Sequence, residues 1–307
     1  MQMERLIVLI LPPRLDKVQI HIPIPPGSDL SLLGSIHQDV AKKFGTKSQY
    51  CSNKKGSRRY LRLHLSTGIL EVEIRRQYGN RWLMYRFNGP IDFGEADEAA
   101  LPFGDYDFEN GLMTGHIKAL EFAQDISGAQ AKDFLVHLVG TSVSHIAYNA
   151  DKTGQTKYVG SRDSALQFVM YDKAQELRDK KKPCAFKNLM RVELRVINRK
   201  ESFPYVVARL IDDCVFDKLR VVSLAQAMDF KSPVADWKLF LSACQLEGVP
   251  VALAQFKHHK KTFLKYIHQL SKPLMQPKIE SFQEQICALL PWAPFNKLLD
   301  AAFKAAG

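Results

Sequence analysis

The sequence predicts an α+β protein: a largely antiparallel sheet, or sheets, with packed helices, followed by a helical C-terminal region. Three observations carry this. The first 90 residues alternate apolar and polar side chains at a period of two. Residues 116–200 return to that alternation around one helix-like stretch, so strands and helix share a layer packing. From about Tyr205 onward the apolar residues recur instead at helical spacing.

In order, the candidate strands of the first part are Leu6–Leu11, Val18–Ile24, Tyr60–Ser66, Leu70–Arg75 and Trp82–Phe87. Thr67, Gly68 and Ile69 fit the connection of a hairpin between the third and fourth. Lys54, Lys55, Arg58 and Arg59 form a basic loop before that hairpin, either a solvated turn or a phosphate contact. Residues 91–115 are acidic and glycine-rich and read as a connecting segment. Strands follow at His116–Ile126, Ser142–Asn149, Thr156–Gly160, Ala165–Asp172 and Leu189–Ile197, with a helix near Ala129–Val139. The C-terminal helices are expected at Val206–Leu219, Val234–Gln245, Val251–Phe256, Phe263–Leu270, Ile279–Leu290 and Phe295–Ala306. This gives two domains, 1–200 and 201–307, the second a DNA-binding or dimerisation region.

Bulk properties bound the function. At 307 residues and 46% hydrophobic content the chain is that of a globular protein. No apolar run approaches the roughly 18 residues of a membrane-spanning helix, and Leu6–Pro12, beside Glu4 and Arg5, is too short for a signal peptide. The five cysteines are far apart with no CxxC spacing, so neither zinc nor a disulfide framework is expected, and a reducing, cytoplasmic setting is. The net charge is +11, and residues 111–200 hold most of it, with 15 basic against 9 acidic side chains. A basic surface favours polyanions, nucleic acid above all.

The chemistry concentrates in that segment. Tyr171 ends an apolar strand, with Lys173 two residues on. Side chains alternate across a strand, so Glu121 and Asp125 share one face of theirs, Arg191, Glu193 and Arg195 another, and Val169, Tyr171 and Lys173 a third. Adjacent strands lie about 5 Å apart, which lets Glu121 and Glu193 hold one Mg2+ or Mn2+ between them. Asp125, roughly 13 Å along from Glu121, is placed to orient a lysine or a bridging water instead. A phenol, a cation and strand-borne carboxylates are the parts of a metal-assisted phosphoryl transfer to tyrosine. Lys173 would offset charge on the phosphate oxygens. The cations of the segment, Lys157, Arg162, Arg178, Lys180, Lys181, Lys182 and Arg191, are the expected DNA contacts, the Arg178–Lys182 run foremost.

Thr156-Lys157-Tyr158-Val159-Gly160-Ser161-Arg162-Asp163-Ser164, then Tyr171-Asp172-Lys173, Glu176 and Arg191-Val192-Glu193-Leu194 resemble the motifs of the Rep_trans family, the rolling-circle replication initiators of small plasmids and some phages, with related relaxases. The resemblance covers about residues 116–200. It implies that Tyr171 attacks one strand at an origin, leaving a 5′-phosphotyrosine and a free 3′-hydroxyl that primes synthesis. It also implies that Glu121, Asp125 and Glu193 supply the divalent-metal site. Origin DNA, duplex and single-stranded, is the implied partner, with a host helicase and polymerase and a homodimer as further expectations. Two positions depart from the family pattern: Val169 stands where arginine is usual, and Glu121 where aspartate is. None of the nine histidines forms the His-x-His pair of other nickases, and His258, His259, Lys260 and Lys261 read as a basic helix start. Two alternatives remain: a non-catalytic, sequence-specific DNA-binding regulator that keeps the fold, and a relaxase for conjugative transfer.

Overall fold

In the computed structural model, residues 14–25, 38, 42, 48–52, 59–66, 68–77, 80–89, 114–140, 143–148, 155–161, 165–197, 200–202, 205–206, 209 and 218–273 are described. The expected strand Leu6–Leu11, residues 54–58 of the basic loop, 91–113 of the acidic segment, Arg162, most of Val206–Leu219 and the last two helices lie outside them. The fold is α+β, with an extensive antiparallel sheet. The chain forms two compact units interleaved in sequence: 14–122 with 196–213 and 278–307, and 1–13 with 123–195 and 214–277.

The first of these units is an antiparallel meander. β1 (Arg14–Ile24), β2 (Ser48–Ser52), β3 (Arg59–His64), β4 (Ile69–Gln77) and β5 (Asn80–Asn88) line up as β2-β3-β4-β5-β1. The register joins the apolar positions: Val18 faces Phe87, Ile20 faces Tyr85 and Ile22 faces Leu83. Val72 in turn faces Tyr85, and Leu61 faces Val72. All of these side chains are buried. A one-residue slip would turn every one of them outward, so burial fixes the pairing. The expected hairpin is present, with Leu65 N donating to Gly68 O at 2.9 Å. Gly68 is required there, because a Cβ would meet the Asn88 carbonyl oxygen at 2.5 Å.

β6 (His116–Ser127) and β11 (Leu189–Ile197) each contribute residues to both units. In the second unit they are joined by β8 (Ser144–Tyr148), β9 (Gln155–Val159) and β10 (Leu166–Asp172), in the order β6-β11-β10-β9-β8. β10 runs directly into helix α1 (Lys173–Asp179).

One expectation is overturned here. The stretch near Ala129–Val139 is not a helix: a 3-10 turn at Ala131–Asp133 leads into strand β7 (Phe134–Leu138). Its partner is β12 (Leu219–Ser223), with Val136 opposite Val221, and β13 (Lys272–Pro273) completes a three-stranded sheet. Five apolar and aromatic residues suit either element, and a strand partner 80 or so positions away is a tertiary cause that local sequence does not carry. The helices α2 (Leu224–Asp229), α3 (Trp237–Glu247), α4 (Val249–Gln255) and α5 (Lys260–Leu270) pack with this sheet. Ser223 caps α2 by accepting from Gln226 N. Gly248 ends α3 at φ 89, where a side chain would also strike Ser144 Oγ. Trp237 is the hub of the helical core, in ring contact with Phe230, Phe240, Phe263 and Tyr266, and its indole donates to Ala227 O at 2.9 Å. No helix among the described residues is long and apolar enough to cross a membrane.

Lys157, an expected DNA contact, points inward from β9. It is 4% exposed and donates to the Phe134 carbonyl oxygen. Burial pulls its pKa from 10.5 down to about 8, against the pull of the Asp172 and Asp133 carboxylates. Between those two values the unfolded chain holds a proton that the folded chain has released, so stability gains with rising pH. Lys157→Met is expected to remove that gain. Urea unfolding of both proteins across the window checks it, and parallel pH profiles would contradict it.

Candidate active site around Tyr171

The site is built on three neighbouring strands and one helix start. Tyr171 is the penultimate residue of β10, opposite Thr156 on β9. Its ring is half-buried, and its hydroxyl donates to Glu193 Oε1 of β11 at 2.7 Å. Arg195, two residues on and therefore on the same face of β11, holds the other oxygen of Glu193 through Nε and NH2 at 3.0 and 2.6 Å. Glu193 is thus a bridge between a phenol and a guanidinium, with 4% of its surface exposed.

Arg191 completes the alternation of β11. It forms a two-pronged pair with Asp125 of β6, Nε to Oδ1 at 2.6 Å and NH2 to Oδ2 at 2.8 Å. The side chains of Arg191 and Asp125 are 4% and 6% exposed. Arg191 is therefore an internal clamp and not a surface DNA contact. Such a forked pair fixes orientation as well as charge.

Tyr171 and Arg195 line a cleft of about 260 Å3, together with Tyr158, Asp172, Gln175 and Glu176. The cleft opens at the first turn of α1, which Asp172 starts; the Asp172 carboxylate accepts from Ala131 N at 2.7 Å. Lys173 is the first residue of α1 and not a continuation of the strand. Its ammonium pairs with Glu176 at 2.6 Å and lies 5.7 Å from the centre of the Tyr171 ring. Burial opposes ionisation of Glu176, but hydrogen bonds from Lys173 and Lys180 outweigh it and hold the carboxyl down at about 2. The Tyr171 phenol is pushed far above its ordinary value, by burial first and then by the Glu193 charge; Arg191 acts in the opposite direction. The hydroxyl therefore keeps its proton unless a base takes it.

The remaining expected cations of this segment sit on the surface. Arg178, Lys180, Lys181 and Lys182 are exposed where α1 ends, and Lys181 turns the chain at φ 55. Arg178 is braced by Gln175 at 2.8 Å and by the Lys187 carbonyl at 3.2 Å.

Each carboxylate of the expected metal set has a partner of its own in the structure. Asp125 is held by Arg191, and Glu193 by Tyr171 and Arg195. Glu121 belongs to the other unit, where it pairs with Lys17 at 2.9 Å. Among the described residues no group of three or more His, Cys, Asp and Glu side chains has the placement to hold a metal ion. Carboxylates already matched by arginine and lysine do not offer the bare oxygens that Mg2+ or Mn2+ takes. Arg195 and Asp172 are the site residues that the sequence reading did not assign. The signal for Arg195 was present, since period-two spacing places it on the face of Glu193.

Among solved structures, the chain is similar to a rolling circle replication initiator protein from Geobacillus stearothermophilus, with a TM-score of 0.37 and 14% identity over 77% of this chain and 97% of that one. No family model matches the chain, and no curated protein does. A likeness of that size leaves the chemistry to the side chains themselves.

Asp125→Asn strips the carboxylate from a buried guanidinium. It is expected to cost ~3–5 kcal/mol of unfolding free energy, because a buried charge loses its counter-charge. Chemical denaturation measures this, and a cost below about 1 kcal/mol, the scale of an exposed pair, would contradict the clamp.

Proposed function

We propose that this protein cleaves and rejoins a DNA strand through Tyr171, as an initiator of rolling-circle replication. The observation that carries the reading is the 2.7 Å hydrogen bond from the Tyr171 hydroxyl to the buried Glu193, on a tyrosine that lines an open cleft together with Arg195. A nucleophile, a base within hydrogen-bond reach and a third group that orients the base is the arrangement of an activated nucleophile. In the forward step Glu193 takes the phenolic proton as the phenolic oxygen attacks phosphorus. The bond to the 3′-oxygen breaks, and that oxygen takes a proton from water. The products are a 5′-phosphotyrosine and a free 3′-hydroxyl. Arg195 and Lys173 offset charge on the phosphate oxygens. The raised phenol pKa makes proton transfer part of the attack, because no standing phenolate precedes it. The phosphodiester energy is kept in the tyrosine link, so the reverse step reseals the strand without ATP. The Arg178–Lys182 turn supplies sequence-independent attraction for the backbone.

The same raised pKa, with the carboxylates already matched by cations, favours a second reading: a DNA-binding regulator with no cleavage step. A supercoiled plasmid carrying the element's own origin separates the two. On the nicking reading the wild type yields open circles, Tyr171→Phe yields none while still shifting duplex origin DNA in a gel, and Glu193→Gln is slowed about 100-fold or more, the scale of a lost general base. Wild-type protein that leaves the plasmid supercoiled, or a Tyr171→Phe variant that nicks it as fast as wild type, would refute the proposal.

A further inference from the structure

A second cavity, in the unit of the helical core, is used by nothing above. It encloses about 430 Å3 between the end of β7 and helices α4 and α5. That is within the range of pockets that hold a small organic ligand. Its walls are mostly apolar, with Val139, Pro250, Leu253 and Leu264. Three polar groups line it: His137, His268 and Lys260. His137 is 5% exposed, and its Nδ1 is buried with no hydrogen-bond partner. A buried ring nitrogen left unsatisfied costs free energy. Burial, with His268 and Arg220 close by, pulls the His137 pKa to about 4, so the ring is neutral at physiological pH and offers one donor and one acceptor nitrogen. The His268 ring, 6.1 Å from it between centroids, is exposed and free to stack on a planar ligand.

The charge around the cavity selects an anion. No carboxylate lines it. No Asp or Glu occurs in the sequence between Glu247 and Glu280, whereas Lys257, Lys260, Lys261 and Lys265 do. Lys257, Lys260, Lys261 and Lys265 are all exposed, on α5 and the turn before it. An apolar slot with one base-edge partner, a stacking ring and a phosphate-sized cation at its mouth matches a nucleotide in each part.

We propose that the cavity bounded by β7, α4 and α5 binds one unpaired nucleotide, its base between Leu253, Leu264 and His268 with an edge toward the His137 ring, and its phosphate on Lys260. The inference builds on the DNA reading, and adds a base-capture site apart from the tyrosine chemistry. The nucleotide comes either from a single strand or from the free pool.

Full-length protein is titrated into a short single strand carrying one 2-aminopurine, and separately dAMP is titrated by calorimetry. Ala254→Phe fills the cavity mouth from an exposed position, and Lys260→Ala removes the phosphate partner. Wild type is expected to change the 2-aminopurine emission, with affinity falling about tenfold in each variant, the scale of one stacked base. If Ala254→Phe does not fold, Lys260→Ala carries the comparison. Binding of the strand alone assigns the site to unpaired DNA, and binding of dAMP that the same changes weaken assigns it to free nucleotide. No binding of either probe, or binding that both variants keep at wild-type strength, overturns the proposal. Tyr171→Phe is expected to bind like wild type, so failure of the nicking reading and failure of this one give different results.

Discussion

The account depends on one short hydrogen bond, from the Tyr171 phenol to Glu193. Everything around it fixes the two ends. β10 delivers the tyrosine in its second-last position, and α1 begins two residues later. β11 delivers Glu193 between two arginines on the same face. Arg191 is locked to Asp125 in the interior, and Arg195 meets the open cleft. The strand thus carries an internal anchor, a carboxylate and a cation at successive same-face positions. Strand alternation turns a five-residue run into a spaced set of charges, and a clamp with both side chains nearly sealed from water sets where that set stands.

The electrostatics decide how such a tyrosine could act. Burial and a neighbouring carboxylate both oppose the phenolate, and they outweigh Arg191. On the proposed reading, such a tyrosine is a poor nucleophile until its proton moves to Glu193. Arg195 on the far oxygen of Glu193 keeps that carboxylate oriented. Each carboxylate of the expected metal set meets a cation: Asp125 meets Arg191, Glu193 meets Arg195 and Glu121 meets Lys17.

Much of this was legible in the sequence. Strands with clean alternation, such as Val18–Ile24 and Trp82–Phe87, appear where period two placed them, because one face is core and the register is fixed by burial. Helices around Trp237 and Phe263 also appear, since their apolar stripes meet in one cluster. Phe134–Leu138 forms β7 and not the expected helix because its partner β12 is remote in sequence. The site was half legible. Spacing located Tyr171, Glu193 and the faces of their strands. It did not show that Lys157 and Arg191 turn inward, because a lysine or arginine on a strand looks the same whether it meets solvent or a buried oxygen. Nor did it show that Lys173 leaves the strand as the first residue of a helix.

The most direct measurement is peptide mapping by mass spectrometry of the covalent product formed with an origin oligonucleotide that cannot be resealed. The account predicts a nucleotide-modified peptide whose added mass sits on Tyr171, formed about 100-fold or more slowly by Glu193→Gln. An adduct on any other residue, or an unmodified Tyr171 in protein that has cleaved the strand, would contradict it.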